Sequence, residues 1–71
     1  MERQQIQSSM IRSIGYDESN GTLEIEFARD GAVWQYLDVP SGLWAEFQLC
    51  ESHGRFWHAQ IKDRFREVRV G

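Results

Sequence analysis

The residues TLEIEF alternate strictly, with Leu23, Ile25 and Phe27 on one face and Thr22, Glu24 and Glu26 on the other. A period of two predicts a strand over 22–28 with one buried and one wet face. Upstream, the β-leaning SSMIRSIGY predicts a strand over 8–16, and Asn20-Gly21 in DESNG marks a tight hairpin turn between the two. Downstream, Asp30-Gly31 in ARDG turns the chain into a third strand over 32–39. Pro40 ends it, because proline has no N–H to give to a ladder. This third strand is apolar on both sides, with Val33, Leu37 and Val39 on one and Trp34 and Tyr36 on the other. Either both of its faces are covered, or one is a binding surface.

After Pro40 the period changes. Leu43, Phe47 and Cys50, with Trp44 beside them, recur at i, i+4 and i+7, which predicts a helix over 41–51 capped by Ser41. Gly54 in ESHG is suited to the left-handed conformation that closes helices. Trp57, Ile61 and Phe65 predict a second helix over 55–65, with Lys62 and Arg66 on its other face. In the tail EVRVG, Val68 and Val70 alternate as in a short edge strand. The order predicts an α+β fold: a three-stranded antiparallel meander followed by two helices packed on one face (β-β-β-α-α). Leu23, Ile25, Phe27, Phe47, Ile61 and Phe65 are its expected core. The pattern leaves two places for Trp34 and Tyr36: an open sheet face, or a curled sheet that buries them against Tyr16 and Trp44.

Seventy-one residues make a single small domain, 1–71, near the lower limit of what folds unaided; the polar start is expected to fray, leaving about 8–66 ordered. One cysteine excludes an internal disulfide, so the core rests on three Trp, four Phe and two Tyr. No apolar run reaches the roughly 20 residues of a membrane span, and MERQQIQSS has no apolar signal core, so a soluble cytoplasmic protein with no membrane partner is expected. Charge is uneven along the chain. Up to Glu51 there are three Arg against nine Asp and Glu; from Ser52 onward there are five Arg and Lys against two acids. A basic tail on an acidic body fits a solvated helix face or a site for an acidic partner.

These residues also carry a family likeness. SSMIRSIGYD, a strand ending before a glycine, WQY, a VP start to a helix and then SHGRFWHAQIKDRF resemble the KTSC domain. That family is named for its place at the end of some lysyl-tRNA synthetases, and it occurs also as free-standing small bacterial proteins. The likeness runs from about Ser8 to Phe65. Trp34-Gln35-Tyr36 stands where the family carries Tyr-x-Tyr, which keeps a ring and loses a hydroxyl. The family's Gly, basic residue and two aromatics after the first helix are matched by Gly54, Arg55, Phe56 and Trp57; the Asn that commonly follows is His58 here. The resemblance implies an unresolved function with RNA binding suggested by the synthetase association, which is not a mechanism.

Little in the chain points to catalysis. Cys50, His53 and His58 form Cys-x2-His-x4-His, but a closed zinc site needs four ligands and this spacing matches no standard knuckle. A thiol on a helix's apolar stripe is ordinarily inert packing, no Gly-rich phosphate loop is present, and no cofactor is expected. A non-enzymatic binding module is therefore expected, with a protein partner as the first reading. The alternative is single-stranded RNA, its bases stacked on Trp34 and Tyr36 and its phosphates held by Arg55, Lys62, Arg64 and Arg66, with Trp57 able to serve on either side; the same exposed rings and arginines would anchor a protein partner.

Overall fold

The computed structural model describes residues 1–71. Its sheet has five antiparallel strands in the order β1-β2-β3-β4-β5: Gln4–Gln5, Ile11–Asp17, Thr22–Phe27, Val33–Tyr36 and Glu67–Arg69. Four of them form a meander before the helices, and β5 returns to pair with β4. Helix α1 spans Ser41–Leu49; α2 spans His53–Phe56 and runs on through a π-helical turn, Trp57–Ile61. The α+β class, the two helices and the short C-terminal edge strand, β5, agree with the sequence pattern, and the meander before the helices is corrected from three strands to four by β1, for five in all. Gly21 and Gly31 take positive φ (71° and 73°), the conformation the two hairpin turns require.

The helices cover the face bearing Ile14, Leu23 and Ile25. Cross-strand pairing puts Tyr36 opposite Leu23 and Trp34 opposite Ile25, so both rings point to the helical side. The core is Ile11, Ile14, Leu23, Ile25, Tyr36, Val39, Phe47 and Ile61. Phe47 carries the contact of α1 with α2, stacking on Phe56 at 5.2 Å; burying such a ring stabilises by about 1.5–3 kcal/mol. Phe27 and Phe65, expected in the core, lie half-buried at its margin. Val39 is buried although the strand has ended, because Asp38 takes positive φ (57°) and turns the chain inward.

Three local expectations are corrected. Ser41 is the first helical residue rather than the cap; Pro40 occupies the cap position and no side chain bonds there. Gly54 does not close α1. It lies buried inside α2 facing Met10, while the Ser52 hydroxyl caps α2 by accepting from the Arg55 N–H at 3.3 Å. The second helix stops at Ile61 rather than at residue 65. The Lys62 N–H reaches back five residues to the Trp57 carbonyl (2.8 Å), and Asp63 then takes positive φ (61°), a conformation that breaks a helix.

The other sheet face is less wet than its glutamates suggest. Glu24 is only 7% exposed. One oxygen is ion-paired with the Arg3 guanidinium and the other accepts from Gln35 Nε2 at 2.9 Å. Arg3 Nε also donates to Ser13 Oγ (2.9 Å), which donates to Glu26 Oε1 (2.8 Å). Burial works to raise the Glu24 pKa, but the bonds from Gln35 and Arg3 outweigh it and hold the carboxyl below its ordinary range. The polar N-terminus pairs with β2 as β1, and Arg3 beside it reaches a nearly buried partner. Gly15 makes the approach possible. A Cβ there would lie 2.4 Å from the Glu2 carbonyl oxygen and 3.1 Å from Arg3 Cγ. Gly15→Ala is accordingly predicted to lift β1 off β2, at about 1–3 kcal/mol in stability. The Ile6 amide, bonded to the Arg12 carbonyl at 3.1 Å, should exchange with solvent faster while β3 amides stay protected. Unchanged Ile6 exchange would show that β1 is not held this way.

Candidate binding cleft

The helical cover leaves one end of the sheet open. Between the β3–β4 turn and the π-turn is a cleft of about 610 Å³. Phe27, Trp34, Tyr36, Trp57 and Met10 make its apolar wall, and Arg29, Asp30, Lys62, Asp63 and Glu67 its charged rim. Its floor is one hydrogen bond, from Trp57 Nε1–H to the Tyr36 hydroxyl at 3.1 Å. Tyr36 is 1% exposed, whereas Trp34 is half-buried. Trp57 meets Phe27 edge-on at 5.1 Å and carries the Lys62 ammonium over its ring at 5.7 Å.

The two places the sequence left open for the β4 rings are both occupied in part. Tyr36 is core, buried by Trp57 of the second helix. Tyr16 and Trp44 stack on each other instead, at 5.4 Å and 14°. Trp34 borders the open cleft. Of the seven residues singled out from sequence, the fold brings Trp34, Tyr36, Trp57 and Lys62 together. Arg55, Arg64 and Arg66 do not join them; all three are exposed, and Arg64 Nε donates to the Ala59 carbonyl at 3.0 Å. The break at Asp63 is the physical reason, since an unbroken helix would have carried Lys62 and Arg66 on one face. Sequence reasoning missed Met10, Arg29, Asp30, Asp63 and Glu67. Only the turn signal at Asp30-Gly31 could have hinted that its neighbours stand beside Trp34.

Cys50, His53 and His58 are not gathered into a site. Cys50 Sγ donates to the Phe47 carbonyl at 3.2 Å, and burial pushes its thiol up, away from the reactive thiolate. His53 packs edge-on against Phe47 at 5.4 Å, with Nε2 buried and unbonded, and His58 is exposed beside Trp57. No group of three His, Cys, Asp or Glu is placed to hold a metal ion. No helix is long and apolar enough to cross a membrane.

A short antiparallel sheet half-covered by two helices, with an aromatic cleft at the uncovered end, makes a compact α+β domain. The chain belongs to the KTSC domain family, whose model matches residues 7–65. The crystal structure of a KTSC domain protein from Yersinia pestis superposes with a TM-score of 0.94 at 43% identity, covering 99% of this chain and 97% of that one. A protein of Tsukamurella paurometabola is 37% identical over 67 residues (94% of this chain and 98% of that protein). An uncharacterised protein of Stutzerimonas stutzeri is also 37% identical, over 71 residues and 99% of both chains.

The cleft floor has a pH signature. Burial raises the Tyr36 phenol above its ordinary 10.0; donation from Trp57 opposes this and the Glu67 carboxylate adds to it. A phenol whose pKa is raised by folding favours the folded state fully below its unfolded pKa. That advantage is lost as pH climbs from 10.0 through the folded value. Urea melts across this window should show wild-type stability falling more steeply than that of Tyr36→Phe. Parallel pH profiles would place the titrating group elsewhere.

Proposed function

We propose that the protein is a small non-enzymatic binding module that seats a short peptide segment of a protein partner in the aromatic cleft. The observation that carries this reading is the grouping of Trp34, Tyr36 and Trp57 in one open cleft whose rim has both signs of charge. Tyr and Trp give large, stiff contact areas at little entropic cost, and a mixed rim suits the varied polar groups of a peptide. Tyr36, 1% exposed, supports the cleft from beneath, its hydroxyl accepting from Trp57 and holding that ring in the wall.

Single-stranded RNA is the weaker reading for this cleft. Its phosphates would meet Asp63 and Glu67, while Arg55, Arg64 and Arg66 lie outside. A buried Tyr36 also leaves Trp34 as the main stacking surface, where a base-binding strip needs successive exposed rings.

Selection of random peptides displayed on phage tests the proposal. Peptides recovered on the wild-type protein should move the indole N–H signals of Trp34 and Trp57, and Trp34→Ala should lose them while keeping its fold, because that ring is only half-buried. If a mixed-sequence RNA moves the same signals with an affinity that falls steeply with salt, and no peptide does, the peptide reading is overturned.

A further inference from the structure

The rim of the cleft is not electrically neutral. It bears three carboxylates, Asp30, Asp63 and Glu67, against Arg29 and Lys62. Asp30 is occupied within its own turn, its Oδ1 accepting from the Ala32 N–H at 3.0 Å. Asp63 and Glu67 have no cationic partner. The chain's two ion pairs, Arg3–Glu24 and Arg12–Glu26, belong to the opposite side of the sheet.

The rings tell a complementary story. Trp44 packs with Tyr16 and Phe47, and Trp57 with Phe27 and His58, whereas Trp34 has no aromatic partner and no cation above it. That the wall of this cleft attracts cations is visible in the chain itself, since the Lys62 ammonium rests over Trp57. In register, Glu67 is directly across from Tyr36 and so lies diagonal to Trp34 on the same sheet face, within reach of long side chains. Arg69 is across from Trp34 but does not line the cleft, its Nε donating to the Gly71 carbonyl at 2.9 Å.

We infer that the cleft takes an arginine side chain of the partner peptide, its guanidinium flat on the free face of Trp34 and paired with the Glu67 carboxylate. The inference rests on the peptide reading and narrows it. Arginine fits better than lysine, because a planar guanidinium stacks on a ring and bonds a carboxylate at the same time. Lys62 then has a defined part. Of the two rim cations, Arg29 and Lys62, it is the one that already rests on the aromatic wall, so its charge works against the ligand.

The sign of that effect is the test. Capped Gly-Gly-Arg-Gly-Gly is titrated into the 15N-labelled full chain alongside its citrulline counterpart, which has the same shape without the charge. The arginine peptide should bind about fivefold or more tightly than the citrulline peptide, with the Trp34 indole signal shifting most. Glu67→Gln should remove most of that difference. Lys62→Ala should strengthen binding of the arginine peptide, the reverse of what any phosphate ligand would give. Equal binding of the two peptides, or weaker arginine binding by Lys62→Ala, overturns the arginine assignment and leaves the peptide reading in place. If neither these peptides nor the phage-selected ones move the cleft signals, both fall.

Discussion

The Trp57 Nε1–H to Tyr36 hydroxyl bond joins the two halves of this small protein. Tyr36 stands on β4 and Trp57 opens the π-turn, so the bond fixes where the helical cover meets the sheet. A buried phenol with no partner would cost about 1–3 kcal/mol, a large share of what a domain this size has to spare. With the bond made, Tyr36 fills the core while its oxygen stays at the bottom of a cleft. One polar contact thereby sets the packing and shapes the site. A cleft built this way does not close on itself, because the helix stops at Ile61 and Asp63 turns the chain away before β5 begins.

The opposite face follows a different rule. Glu24 and Glu26 alternate outward as a half-wet strand should, yet Arg3, Ser13 and Gln35 converge on them and leave Glu24 nearly buried. A carboxylate taken from water needs such partners. The need explains why a polar N-terminus becomes β1, and why glycine stands at position 15. The aromatic side and the polar side of the sheet are thus each tied down by a residue from an end of the meander, Tyr36 on one and Arg3 on the other.

The regular parts of this fold were legible because they rest on local patterns. TLEIEF, the two glycine turns and the i, i+4 spacing of Leu43 and Phe47 each state an element within a few residues. The family likeness through WQY and SHGRFWHAQIKDRF was equally plain, and the family match bears it out. Less legible were the features made by contacts distant in sequence. Residues 4 and 5 have no strand signature; their pairing comes from Arg3 reaching Glu24, twenty-one positions away. The helix break at Asp63 has no glycine to announce it, and without it the tail's basic residues read as one stripe. For the cleft, sequence supplied Trp34, Tyr36, Trp57 and Lys62 but not the acids, because Asp63 and Glu67 reach it only once the helix has ended and β5 has paired with β4. The face of Tyr36 was undecidable until a partner for its hydroxyl was known.

The account stands on the claim that Trp57 and Tyr36 act as a unit linking cover to sheet. A double-mutant cycle measures this directly, with urea unfolding of wild type, Tyr36→Phe, Trp57→Phe and the double variant at neutral pH. A bonded pair predicts a coupling of about 1 kcal/mol, the double variant losing less than the sum of the single losses. Losses that add to within about 0.3 kcal/mol would contradict the claim, leaving cover and sheet joined by apolar packing alone.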